Sequence, residues 1–159
     1  MTAKVPPLSG RAQGVAVPRS RTAAGGVLLD TGVLVTMYAR DDPKHAGVAR
    51  WLTTFRGELH TVASVLTEAA YFLPVRMRAV LAELAMSGNL QLHHPDADGY
   101  ARIATLLRKY ADIDPDWADI ELIWLAETTG ITRIATLDVA DFSVYRIHGR
   151  RRFELELLR

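Results

Sequence analysis

The 159-residue chain contains no cysteine. Disulfides, thiolate metal sites and thiol nucleophiles are therefore excluded. Lysine is sparse where it would matter, with none between Lys44 and Lys109. No apolar run approaches the length of a membrane span. The N-terminal Lys4 has no apolar segment behind it, which argues against a secretory signal and makes the cytoplasm the default expectation. A phosphate-cradling G-x-x-x-x-G-K loop, a G-x-S-x-G elbow and a G-x-G-x-x-G turn are all missing. Nucleotide-hydrolase, serine-hydrolase and dinucleotide-binding readings fall with them. His45, His60, His93, His94 and His148 show no H-x-x-x-H ligand spacing, and His93-His94 reads as a loop-facing pair at a strand end. A response-regulator receiver is excluded too, for want of an acid pair after the first strand and a late lysine.

Charge is unevenly placed. Of the 19 lysines and arginines, Lys4, Arg11, Arg19 and Arg21 fall within residues 1–26, which hold no acid. The rest of the chain carries the other 15 against all 18 acidic groups, so its balance is slightly acidic. Such a surface does not coat nucleic acid; a nucleic-acid function would need a local site, with a cation. Residues 1–26 are rich in proline and glycine and have no usable periodicity. They read as a disordered basic leader or a start-site extension, with a basic RNA-binding arm as the less favoured alternative. The remaining 27–159 is the right size for one domain.

Val27-Leu28-Leu29 is a short unalternated apolar run ending at Asp30-Thr31-Gly32, the pattern of a strand buried on both faces in a parallel sheet. Asp30 or Thr31 is placed to cap a helix over 33–38. A second helix is expected from Pro43 at its first position to Gly57, with Val48, Trp51, Leu52 and Phe55 inward. Strand 58–62 follows, then helix 63–73 capped by Ser64, and a helix from Pro74 to Met86 burying Val75, Val80, Leu81, Leu84 and Ala85. Strand 90–93 leads to a helix opened by Asp96 and holding Ile103, Leu106, Leu107 and Tyr110 on one side. Asp114-Pro115 reads as the cap and first position of a helix running to about Thr128 and stopped by Gly130. Strands are expected at 131–137 and 144–147, and Phe153–Leu158 alternates as an edge segment would. Strands alternating with helices imply βαβ units, a largely parallel sheet of about five strands and right-handed crossovers.

Four carboxylates interrupt this apolar pattern where burial or an element end is expected. Asp30 ends the first strand and Asp138 ends Ile134-Ala135-Thr136-Leu137. Glu68 lies on the otherwise apolar helix Val65–Tyr71, and Asp119 just ahead of Leu122–Ala126. Asp116, three residues before Asp119, shares its helix face. Taken singly, each acid has a structural explanation as a cap or a solvated helix face. Together, with few cations near, they would repel one another and either hold protons or take up a metal ion. An all-oxygen site suits Mg²⁺ or Mn²⁺, and such a site points to phosphodiester hydrolysis. Trp117 and Trp124, seven apart, are expected in the core or a dimer contact, with stacking on RNA bases the lesser alternative. Arg146 and Arg150 to Arg152 offer either phosphate contacts or a solvated edge.

Val27–Leu34, Val65-Leu66-Thr67-Glu68-Ala69, Tyr110-Ala111-Asp112 with Asp116-Trp117-Ala118-Asp119, and Ile134–Phe142 resemble, in order and spacing, the motifs of the PIN-domain ribonucleases. They look most like VapC-type toxins of prokaryotic toxin–antitoxin pairs. The resemblance implies a three-layer α/β/α sandwich and a Mg²⁺- or Mn²⁺-dependent endoribonuclease. It makes Asp30, Glu68, Asp119 and Asp138 the catalytic acids, and Asp30, Asp116, Asp119 and Asp138 the metal ligands. Thr136 would support them by hydrogen bonding. Arg146 and Arg150, read from the residues themselves, are the candidate RNA contacts. It further implies a homodimer and a cognate antitoxin that covers the site. A PIN-like fold acting only as an RNA- or protein-binding module is the alternative, disfavoured because such a module has no need of all four acids. Two positions depart from the family pattern. Ile120-Glu121 follow the third acid where a small residue is usual, and Asp114-Pro115 replace a more apolar pair.

Overall fold

In the computed structural model, which describes residues 25–158, Val27–Leu29 forms the central strand β1 of a five-stranded sheet. The leader read at 1–26 lies outside the described residues apart from Gly25 and Gly26. The other strands are β2 (Leu59–Val62), β3 (Leu90–His93), β4 (Arg133–Ala135) and β5 (Glu154–Leu155). All pairings are parallel and the order is β3-β2-β1-β4-β5. The chain therefore steps outward from β1 to β3, then returns to place β4 on the other side of β1. That reversal opens a crevice at the carboxyl ends of β1 and β4, the place where open α/β sheets bind ligands.

Among the described residues, seven α-helices connect and cover the strands: α1 (Thr31–Tyr38), α2 (His45–Thr54), α3 (Ala63–Phe72), α4 (Val75–Met86), α5 (Ala97–Lys109), α6 (Trp117–Thr129) and α7 (Val139–Val144). The result is the expected PIN-like α/β/α arrangement. Val27, Leu28 and Leu29 are fully buried, each aliphatic side chain contributing about 1.5–3 kcal/mol. Helix α6 is buried from Ile120 to Ala126, because it packs on α5, α3 and β2 at once. Gly130 stops it in the left-handed conformation at φ 76°, as a C-terminal glycine should. Among the described residues, no helix is long and apolar enough to cross a membrane.

Several boundaries differ from the sequence reading, each for a local reason. Helix α1 starts at Thr31, since Asp30 is its N-cap. Pro43 sits in a turn ahead of α2, where the Asp42 carboxylate accepts the Lys44 N–H at 2.7 Å. Ser64 is no cap: β2 runs directly into α3 and Val62 occupies the cap position. Helix α4 buries only Leu81, and Val75 is 74% exposed. Asp114 is left-handed (φ 49°), a conformation that cannot cap a helix start, and the N-cap of α6 is Asp116, without a side-chain cap bond. Residues 144–147 are not a strand. Asp138 caps α7 by accepting the Asp141 N–H at 3.1 Å, which carries the helix to Val144, and Ile147 makes a single antiparallel bridge to Arg151. The fifth strand is instead Glu154–Leu155, within the alternating edge segment.

The α5–α6 contact fixes the helix that bears Asp116 and Asp119, and it is close-packed at Gly99. A Cβ there would lie 2.9 Å from both the Pro95 Cβ and the Trp124 Nε1. Gly99→Ala should therefore lower the unfolding free energy by about 1–3 kcal/mol, read by urea denaturation. An unchanged midpoint would show that the interface relaxes freely.

Candidate active site

Asp30, Thr31, Glu68, Asp116, Asp119 and Asp138 line one cavity of about 670 Å³ at the crevice between β1 and β4. The elements that deliver them are distinct: the end of β1, the first residue of α1, the middle of α3, the first turn of α6 and the segment after β4. All five acids singled out in the sequence are thus brought together. Arg146 and Arg150 are not among the residues lining the cavity. The Arg146 Nη1 donates to the carbonyls of Ser143, Val144 and Tyr145 at 2.8 Å each, where it closes the end of α7, and Arg150 is exposed.

Two threonines organise the acids. Asp30 is only 6% exposed. Its Oδ1 accepts the Thr31 N–H at 2.6 Å, and its Oδ2 accepts the Thr136 hydroxyl at 2.7 Å. The Thr136 oxygen accepts the Asp138 N–H in turn, at 2.9 Å. The Thr31 hydroxyl donates to Glu68 Oε2 at 2.9 Å. Asp119 Oδ2 accepts the hydroxyl of Tyr145, a fully buried side chain, at 3.1 Å.

Cations take no part. Among the described residues the salt bridges join Glu58 to His60, Arg102 and His148 to Glu127, and Arg133 to Glu156, and none involves the five acids. Burial consequently raises the pKa of Asp30, assisted by the charges of Glu68 and Asp138 and opposed by the bonds from Thr136 and Thr31. Burial, with the Asp30 charge next, pushes Asp119 up to about 7 against the bond from Tyr145. Asp141, one turn beyond Asp138, is raised by partial burial and by the charges of Asp138 and Asp116. Tyr145 is held far above the ordinary tyrosine range by burial and the Asp119 charge, so it remains a donor at any working pH.

The donor set is all oxygen and net negative, which fits a hard divalent cation in type. The carboxylates stand apart across the cavity rather than in a closed cage, and among the described residues no group of three or more acids or histidines is drawn close enough to form one. Asp30, Asp119, Glu68 and Asp138 line its wall, and Asp116 keeps a carboxylate unused by capping. No histidine lines the cavity; the His60 Nδ1 instead lies 3.0 Å from the His93 Nε2, so His93 packs against β2 rather than facing a loop.

Three contributors escaped the sequence reading as site residues. Thr31 was visible as an alternative cap beside Asp30. Asp141 follows Asp138 at the spacing of one helical turn, a usable signal. Tyr145 gives none, because in sequence it belongs to an apolar run indistinguishable from a strand.

The raised acids carry a stability signature. An acid whose folded pKa lies above its unfolded value binds its proton more tightly when folded. Its contribution is complete below the unfolded value of 3.8 and is lost as pH rises through about 7 for Asp119. Asn at 119 keeps an oxygen for the Tyr145 hydroxyl and removes the charge. In EDTA, Asp119→Asn should match wild type at pH 4 and exceed it by about 1–3 kcal/mol at pH 8, measured by urea unfolding across that range. A variant that is weaker than wild type at pH 8 would make Asp119 a structural partner instead.

A family model for the PIN domain matches residues 27–146. The chain is 30% identical over 132 residues to Ribonuclease VapC26 of Mycobacterium tuberculosis (strain ATCC 25618 / H37Rv), a match covering 80% of this chain and 97% of that protein. Among solved structures it is similar to Mycobacterium tuberculosis VapC20, a sarcin-ricin loop cleaving toxin, with a TM-score of 0.67 at 18% identity. That likeness covers 72% of this chain and 91% of the other, and it extends to the fold. With the fold, the ordered acid motifs and the family match in agreement, the chain belongs to the PIN domain family, alongside the VapC-type ribonucleases.

Proposed function

We propose that the chain is a metal-dependent endoribonuclease that hydrolyses RNA phosphodiester bonds, acting as the toxin of a toxin–antitoxin pair. The observation that carries this reading is one cavity lined by five carboxylates from four separate parts of the fold, none ion-paired among the described residues. Buried or crowded carboxylates destabilise a fold, so a cluster without cations is retained for what it holds. Membership of the PIN family and the ribonuclease relative support the chemistry.

Asp30, Asp116, Asp119 and Asp138 would hold the ion, Mg²⁺ or Mn²⁺, with Glu68 completing the catalytic acids. When bound, such an ion neutralises phosphate charge and lowers the pKa of water for attack. The chain's own residues do the rest. Thr136 and Thr31 orient Asp30 and Glu68 so that neither carboxylate has to find its rotamer when substrate arrives. Tyr145 holds Asp119 from beneath. Asp119, pushed up to about 7 in the metal-free chain, would give up its proton on taking its place at the ion, which couples ion binding to pH near neutrality.

The reading extends to partners and boundaries. Residues 27–159 would form the nuclease unit, with 1–26 outside it, and two copies would associate as a homodimer in the cytoplasm. A cognate antitoxin would silence the site by placing an arginine across the carboxylates. A guanidinium can bridge two carboxylates bidentately and displace the metal in the same move.

EDTA should abolish cleavage of an RNA substrate, and Asp30→Asn should reduce it by about 100-fold or more while the far-UV spectrum is unchanged. Calorimetric titration with Mn²⁺ gives a readout independent of activity: wild type should bind and Asp30→Asn should bind at least about 10-fold more weakly. Cleavage that persists in excess EDTA would overturn the reading.

A further inference from the structure

Helix α7 is six residues long, and both of its ends touch the acid site. Asp138 is its N-cap and Tyr145 its C-cap. Asp138 Oδ1 accepts the Asp141 N–H in the first turn at 3.1 Å, and the Tyr145 hydroxyl donates to Asp119 Oδ2 at 3.1 Å. Two acids from different parts of the fold are therefore joined through one helix, whose caps stand about 10 Å apart along its axis. In each acid one oxygen is taken, and the other receives no hydrogen bond from the described residues.

A helix this short does not hold its own shape, so its ends depend on what they touch. Phe142 is buried and meets Tyr145 edge to face at 5.4 Å and Phe153 at the same distance, which anchors α7 in the core. One residue beyond the C-cap, the Arg146 N–H donates to the Tyr110 hydroxyl at 2.9 Å. Tyr110 closes α5, and its ring stands edge to face on that of Tyr145 at 5.2 Å. Both tyrosines are buried. Phenylalanine would fill either space as well, and a buried hydroxyl costs stability unless it is bonded. Among the described residues each hydroxyl has one partner, Asp119 for Tyr145 and the Arg146 N–H for Tyr110. Packing explains the two rings and leaves the two hydroxyls to be explained by what they hold in place.

We propose that Tyr145 and Tyr110 are positioning residues that make α7 a brace between Asp138 and Asp119. Tyr145 fixes Asp119 through Oδ2 and leaves Oδ1 for the ion. Tyr110 holds the chain one residue further on and so keeps the Tyr145 hydroxyl on its acid. The spacing of the two carboxylates is set before the ion arrives, and neither has to reorganise to bind it. The inference rests on the nuclease reading and adds to it the outer contacts that set ion affinity.

The test uses the full chain, with Mn²⁺ as the probe in calorimetric titration. Tyr145→Phe keeps the ring and removes the donor, and it should weaken Mn²⁺ binding about 10- to 100-fold. Tyr110→Phe acts one contact further out and should weaken it about 3- to 10-fold. Both variants should keep the parent's far-UV spectrum. Raising Mn²⁺ to saturation should bring their cleavage of an RNA substrate back to within about 3-fold of the parent, since the loss lies in ion binding and not in the loaded site. The proposal is overturned if either variant binds Mn²⁺ as tightly as the parent. It is also overturned if cleavage stays low at saturating Mn²⁺, for then the tyrosines serve the fold and not the ion. Should Tyr145→Phe fail to fold, Tyr110→Phe decides by the same two readings. In each of these cases Mn²⁺ binding by the parent that Asp30→Asn weakens leaves the nuclease assignment standing. A parent that neither binds Mn²⁺ nor cleaves RNA loses both.

Discussion

The hydroxyl of Thr136 is the point on which the site depends. It donates to Asp30 Oδ2 and accepts from the Asp138 N–H, so one oxygen ties the carboxyl end of β1 to that of β4. The bond exists only because the strand order seats β4 against β1, pairing Leu28 with Ile134 and Leu29 with Ala135. Direction matters as much as distance. A hydroxyl has one proton to give, and the backbone N–H of Asp138 leaves the Thr136 oxygen free to give it to Asp30. Thr31 does the same on the other side, its N–H to Asp30 and its hydroxyl to Glu68. Two small side chains thus join three acids from β1, α3 and the segment after β4, and neither introduces a positive charge.

That last property separates these acids from Glu127 and Glu156. Glu127 is paired with Arg102 at 2.7 Å and Glu156 with Arg133 at 2.7 Å, and the buried Glu121 accepts the hydroxyl of Ser64. The chain therefore supplies partners to its buried carboxylates as a rule. Around the cleft the donors it supplies are neutral, and they orient carboxylates without discharging them. Burial raises Asp30 and Asp119, and a neutral donor, which lowers an acid's pKa less than a guanidinium does, leaves the net shift upward. The arrangement costs the folded state some stability near neutral pH and leaves a negative potential where a cation or a partner's guanidinium can bind.

The parallel architecture was legible because its signal is redundant. Each central strand is a short apolar run flanked by turn residues, and Asp30 and Asp138 stand where such runs stop. The acid constellation was legible for the same reason, since a carboxylate inside Val65–Tyr71 or ahead of Leu122–Ala126 violates the local pattern. What failed were features decided by a single contact. Tyr145 is apolar in context because it packs edge to face against Tyr110 and Phe142, and that packing mimics a strand in sequence. Val75 looks like a core residue by periodicity, yet α4 lies chiefly against α3 and β3, and Val75 is left 74% exposed. No single-chain pattern carries the information that an apolar helix position lacks a neighbour.

The misread cap Ser64 is explained by Glu121. Ser64 has the residue type and place of a helix cap, and Glu121 is a buried acid on α6 facing it. In the structure the Ser64 hydroxyl turns away from its own backbone and donates to Glu121. The carboxylate rests against the first turn of α3, whose cap residue Val62 offers no side-chain oxygen, and negative charge is favoured at that end of a helix. Glu121 thus brings a carboxylate to the start of α3 by way of the Ser64 hydroxyl rather than by capping a backbone N–H. The exchange has a structural consequence, because α3 carries Glu68 and α6 carries Asp116 and Asp119. A local cap would have stabilised α3 alone. The bond across the interface fixes α3 against α6, and with it the separation of the acids that face one another across the cleft.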